Sequence, residues 1–245
     1  MHDRKNTHRV WMFKILKHLY SQKRGKHLGF KWGTALYFFH QLPRFSVDLD
    51  IDILPHTDMT RFPNWISSLE TFVQAQWWTI KKSWTSAYSH HYFIQYGGEK
   101  KLKLEFTTHQ YPNIYRRKQL LGLQIQVMDI RDMFAHKLCA FVSRYQQRGY
   151  LASRDLFDMH FLFQQSISPR EEIIKIRSKN LVKQAMSTKQ RYAYLLEFIR
   201  THETYLRHHI LDGIWELIEQ TKTKHHIKTH LLDELIEYLQ LGMMG

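Results

Sequence analysis

The chain has 245 residues, of which 43% are apolar and 24% charged, a balance that supports one large or two small packed domains and excludes an intrinsically disordered protein. Its one cysteine, Cys139, excludes an internal disulfide and a cysteine-based zinc site. The formal net charge of +14 points to a polyanionic partner, nucleic acid before an anionic membrane surface, with an ordinary solvated basic surface as the plain alternative.

Met1-His2-Asp3-Arg4-Lys5 leads into no signal-peptide core, and no run is long and apolar enough to span a bilayer. The expectation is a cytoplasmic protein without a membrane partner. In chain order, residues 8–24 carry Val10, Phe13, Leu16 and Leu19 at helical spacing. Gly25 and Gly29 then allow a turn, and the short apolar piece Phe30-Lys31-Trp32 runs into Gly33-Thr34 and a short buried helix over 35–40. Apolar residues next fall at 45, 47, 49, 51 and 53, a period of two that predicts a strand with one buried face. Its other face presents Ser46, Asp48, Asp50 and Asp52.

Residues 59–76 read as a helix. Trp77–Ser86, His91–Tyr96 and Lys101–Thr107 lean towards strand, with Gly97-Gly98 as a hairpin turn between the last two. After about residue 126 strand signals stop. Helices are expected over about 130–147, 153–165, 170–185, 188–200, 204–220 and 227–241. The pattern gives an α/β domain over 1–126 and a helical domain over 127–245.

Two aspartates two residues apart on a strand point the same way, about 7 Å apart by strand rise. Like charges so placed are tolerable around a divalent cation, and Mg²⁺ prefers a few carboxylates plus substrate phosphates. The bland alternative is a half-solvated strand. The Gly33-Thr34 turn ahead of the strand alters that balance, because a glycine at a helix start lets backbone N–H groups approach phosphate oxygens. Thr34 is then a helix cap or a phosphate contact.

Gly33-Thr34-Ala35-Leu36 followed by Arg44-Phe45-Ser46-Val47-Asp48-Leu49-Asp50 resembles the signature of the AbiEii/AbiGii-type toxins, members of the DNA-polymerase-β-like nucleotidyltransferase superfamily. Three later segments agree in order. Lys103-Leu104-Glu105-Phe106 is similar to the strand that supplies a third acid. Asp132–Ala140 resembles a helix bearing one lysine, Lys137, and Arg154-Asp155-Leu156-Phe157-Asp158 resembles the family's Arg-Asp-x-x-Asp box. The likeness covers about residues 30–165. It departs where Trp32 stands in place of the first of two glycines.

The resemblance implies an α+β fold, a nucleotidyltransferase-type mixed sheet with flanking helices, followed by an all-helical domain that contributes to the active-site cleft. It implies Mg²⁺ or Mn²⁺ on Asp48, Asp50 and Glu105, an NTP contacted by Gly33, Thr34, Arg44, Ser46 and Lys137, and catalytic roles for Asp48, Asp50, Glu105, Lys137, Asp155 and Asp158. One of Asp155 and Asp158 is expected to hold Lys137 or the nucleotide, and Arg154 could pair with Asp158 one turn on. The implied activity is transfer of a nucleoside monophosphate to an RNA acceptor, the tRNA 3′ end, within a toxin–antitoxin or abortive-infection system with a cognate antitoxin. Two alternatives stand beside it: transfer to a small molecule, which needs no basic surface, and a non-catalytic relative that binds RNA or protein.

Two basic clusters, Arg116-Arg117-Lys118 and Lys175, Arg177, Lys179 and Lys183, suit an RNA acceptor, with Tyr111 and Tyr115 available to stack on bases. The alternative is a solvated face. The paired histidines, including His226 and His230 at i, i+4, show no acid or cysteine pattern that completes a zinc site in the sequence.

Overall fold

The computed structural model describes residues 2–86, 88–96, 101–108, 111–149, 152–218 and 220–244; the Gly97-Gly98 turn lies outside them. The chain divides into two units. The first comprises Met1–Gln41, Phe45–Gln110 and Ile114–Met128; the second comprises Leu42–Arg44, Tyr111–Asn113 and Asp129–Gly245.

The first unit is built on a seven-stranded mixed sheet of order β3-β4-β5-β2-β1-β7-β6. Its strands are β1 Leu28–Lys31, β2 Asp48–Ile53, β3 Thr79–Thr85, β4 Ser89–Gln95, β5 Lys101–Thr108, β6 Tyr115–Leu120 and β7 Leu123–Met128. Strand β2 runs antiparallel to β1 and parallel to β5, so it lies inside the sheet. Its Leu49, Ile51 and Ile53 are buried, as the period-two pattern predicts. Among the described residues, three α-helices belong to this unit: α1 His2–Tyr20, α2 Trp32–His40 and α3 Phe62–Ala75. Helix α1 buries Met12, Ile15, Leu16 and Leu19, the stripe that its spacing marks out.

Strand β2 begins at Asp48, not at Phe45. The carbonyl of Val47 is taken by the His8 ring at 2.9 Å, so the ladder starts one residue later. Strands β6 and β7 have no counterpart in the sequence reading. They form a hairpin closed by Leu121 at φ 49° and Gly122 at φ 80°, the left-handed pair that a two-residue hairpin turn requires. The run Arg116-Arg117-Lys118 on the edge strand hides the alternation there.

The second unit carries α4 Ile130–Arg148, α5 Ser153–Gln164, α6 Glu171–Val182, α7 Thr188–Thr201, α8 Glu203–His209 and α9 Thr221–Met244. Asp129 caps α4 by accepting from Arg131 N–H, and Gly149 at φ 70° ends it. A reciprocal box of Ser187 and Gln190 starts α7. The core is Phe134, Phe141, Leu156, Leu162, Ile173, Leu195, Ile199, Leu231, Leu235 and Leu239. The helix expected over 204–220 stops at His209; turns follow to 217, with Gly213 at φ 70°. The α+β class read from the sequence, a mixed sheet followed by helices, is the one observed.

Candidate active site

The β1–α2 junction has a specific construction. Helix α2 opens at Trp32, so Gly33 and Thr34 occupy its first turn. Lys31 is the N-cap and offers no side-chain cap. Trp32 has φ 65°, a backbone conformation in which a tryptophan is strained and a glycine is not. Thr34 does not cap the helix. Its buried hydroxyl donates to the Asp48 carbonyl oxygen and lies 2.8 Å from Ser46 Oγ, tying the helix start to the segment that leads into β2.

His8 holds the same segment from α1. One ring nitrogen meets the Val47 carbonyl oxygen, and the other meets the Tyr96 hydroxyl. If Nε2–H donates to Val47, Nδ1 accepts from Tyr96, so a single neutral tautomer serves both contacts. His8 drew no notice in the sequence, since its partners lie 39 and 88 positions away.

Strand register sets the acids. Asp50 sits opposite Glu105 on β5 and opposite Lys31 on β1, while Asp48 sits opposite Lys103. Side chains alternate along a strand and agree in phase across neighbours, so Asp48, Asp50, Glu105, Lys31 and Lys103 share one face. Burial pushes the Asp50 carboxyl up to about 6, and the charges of Asp48 and Glu105 add to it against the opposing pull of Lys31 and Lys103.

Glu105 lies 2.6 Å from Lys103 Nζ and 3.3 Å from His91 Nδ1. Burial works against its charge, yet the Lys103 contact keeps its carboxyl below the usual range. Trp84 stacks on His91 with ring centroids 4.1 Å apart. The third aspartate of β2 is closed off. Asp52 accepts from Lys31 Nζ at 2.6 Å and from the Tyr115 hydroxyl, and it is 3% exposed. Lys31, Lys103 and His91 complete this face, and the sequence reading named none of them, nor His8, as site residues. Lys31 had one legible signal, its place directly before the glycine turn.

Tyr115 is therefore not an open stacking platform. Its ring covers Gly29, where an added Cβ would lie 2.2 Å from the ring, and its hydroxyl is spent on Asp52. Lys118 meets His40 at 3.2 Å. Tyr111, in the second unit, is packed against His136 and lies beneath the Arg177 guanidinium at 5.5 Å. Arg177 also reaches His136 Nδ1 at 2.9 Å, and Lys175 pairs with Glu171 at 2.6 Å, so the second basic cluster is partly committed to the protein itself.

In the second unit the four other predicted residues form one buried network. Arg44 grips Asp158 with Nε and Nη2, each at 2.7 Å. Lys137 Nζ is 2.8 Å from both Asp155 and Asp158, and Arg144 closes on the far oxygen of Asp155. Both aspartates are fully buried, which opposes their ionisation, but the surrounding cations hold them below the usual carboxylate range. Asp158 takes Arg44 and Lys137, whereas Arg154, the partner one turn away, is exposed. Both aspartates hold Lys137, where one was expected to.

A family model described as "Nucleotidyl transferase AbiEii toxin, Type IV TA system" matches residues 14–235. The chain belongs to this family. Membership makes it a nucleotidyltransferase toxin of a type IV toxin–antitoxin system, with an NTP as substrate and an antitoxin as partner. Solved structures share the AbiEii chain's fold. JHP933 from Helicobacter pylori is 21% identical, with a TM-score of 0.60 over 98% of this chain and 92% of its own. A second Helicobacter pylori protein, solved as a nucleotidyltransferase candidate, is 22% identical, with a TM-score of 0.62 over 98% and 95%. MenT4, a nucleotidyltransferase toxin from Mycobacterium tuberculosis H37Rv, is 14% identical, with a TM-score of 0.53 over 96% and 84%. None of the curated proteins compared matches the chain. Among the described residues, no helix is long and apolar enough to cross a membrane.

Proposed function

We propose that this AbiEii protein transfers a nucleoside monophosphate from an NTP to a hydroxyl of an RNA acceptor, the 3′ end of tRNA, in the cytoplasm, with Mg²⁺ or Mn²⁺ held by Asp48, Asp50 and Glu105. The observation that carries the reading is the register of β2 and β5, which sets Asp50 directly beside Glu105 with Asp48 two residues along on the same face. The donor set fits a hard divalent cation: it is all carboxylate oxygen, and it includes Asp50, whose carboxyl is raised to about 6 by burial first and then by the charges of Asp48 and Glu105. Asp48, Asp50 and Glu105 would hold such an ion, which would supply positive charge to offset charge developing on the phosphates.

The chain's own residues supply the rest of the proposal. The first-turn N–H groups of α2, with Gly33 among them, offer donors to a phosphate. Thr34 holds Ser46 and the Asp48 backbone, which fixes the phosphate-side donors and the first acid relative to one another. Glu105, poised between Lys103 and His91, is the group to take the acceptor's proton. Lys137 and Arg44 are proposed as phosphate-binding cations, and Asp155 and Asp158 as the acids that orient both. A net charge of +14 favours an RNA acceptor over a small molecule.

The test is incubation with each labelled NTP and total RNA, wild type beside Asp50→Asn. Label in tRNA-sized RNA from the wild type, and none from the variant, is the expected result. Label that enters no RNA overturns the acceptor assignment; equal labelling by the variant overturns the metal-ligand assignment.

A further inference from the structure

Histidines 226 and 230 carry no zinc pattern in the sequence, but folding brings other donors to them. Glu234 follows one turn beyond His230 on α9, and His160 arrives from α5. Glu234 gives one carboxylate oxygen to each imidazole: Oε2 lies 2.6 Å from His160 Nε2, and Oε1 lies 3.1 Å from His226 Nε2. All three ligand atoms fall within 4.8 Å of one another.

We propose that His160, His226 and Glu234 bind a borderline divalent transition-metal ion, zinc foremost, with water in the fourth position. Two imidazole nitrogens and one carboxylate oxygen are a three-ligand set that zinc accepts with an open site. Tetrahedral coordination at 2.0–2.2 Å places donors about 3.3 Å apart. Both contacts to Glu234 are already near or inside that spacing, so side-chain rotation alone can open the triad around an ion. His160 is 4% exposed, whereas His226 and Glu234 are half-buried, which leaves an approach from solvent and room for the water.

Tyr238, with its ring 5.9 Å from that of His160, stacks on Phe163 at 5.5 Å and walls one side. Bound there, the ion cross-links α9 to α5, the helix that also carries Asp155 and Asp158.

Tag-free full-length protein, stripped with a chelator and dialysed, should take up one equivalent of zinc by titration calorimetry and elemental analysis. Cobalt should give the visible absorption of a four-coordinate site. Glu234→Gln should weaken zinc by at least about tenfold, since loss of an outer partner alone costs that much at such sites. His226→Ala, at a partly exposed position, should do the same, with the far-ultraviolet dichroism of both variants unchanged. Asp48→Asn should bind zinc as the wild type does, which separates this site from the nucleotidyl-transfer acids. No zinc uptake at micromolar concentration, or equal uptake by all three variants, overturns the proposal.

Discussion

Arg44 and Asp158 lie 114 positions apart in the chain and meet through two parallel 2.7 Å contacts, both side chains almost wholly out of solvent. A guanidinium matches a carboxylate bidentately, and a second cation, Lys137, uses the remaining capacity of Asp158. Such a pair is weak evidence for stability as a whole but costly to break on one side.

Asp158→Ala should therefore destabilise the protein by about 3–5 kcal/mol, because it leaves the Arg44 charge buried without its carboxylate. Urea unfolding of the two proteins measures the difference. A loss below about 1 kcal/mol would mean that Arg44 finds water or another acid.

His18 should contribute a share of the stability that is lost on the acid side. His18 stacks on Phe72 at 4.4 Å, and burial, reinforced by Arg24, lowers its imidazole to about 4 from an ordinary 6.5. The unfolded chain thus takes up the proton first. The contribution is complete above pH 6.5 and is lost as pH falls from 6.5 towards 4. His18→Phe removes the titrating group, so the wild type should lose stability relative to this variant as pH falls from 6.5 towards 4, measured as the difference between their unfolding free energies.

Asp50 has the opposite sign. Its carboxyl is raised from 3.8 to about 6, so the folded state holds the proton more tightly. The contribution is fully favourable below 3.8 and is lost as pH rises from there to about 6. At pH 7, Asp50→Asn should be at least as stable as the wild type by urea titration while nucleotidyl transfer drops roughly 100-fold or more. A variant that is both inactive and unfolded would instead make Asp50 a structural residue.

Trp32 should reverse the usual ranking of alanine over glycine in a helix. At φ 65°, any residue with a Cβ is strained, so Trp32→Gly should be more stable than Trp32→Ala by about 1 kcal/mol. Thermal unfolding of the two variants compares them directly. The tryptophan itself has Lys31 Nζ 5.4 Å from its ring centroid, which offsets part of its strain.

Local pattern alone determined a good deal of this protein: the period-two strand with its acids, the glycine turn ahead of it, most of the helices and the AbiEii resemblance, because each is written within a few neighbouring residues. Where local signals mislead, the reason is visible. Arg116, Arg117 and Lys118 look like a solvated run because an edge strand tolerates charge, and so the β6–β7 hairpin was illegible. Tertiary structure decided which of the three aspartates of β2 stays available, since Asp52 is claimed by Lys31 and by Tyr115 from 63 positions away. It decided as well that Arg44 serves Asp158, that Tyr115 covers Gly29, and that His160 and Glu234 join His226. Charged and hydrogen-bonding side chains choose partners by distance in space, and helix or strand periodicity carries no record of which distant segment will come within 3 Å.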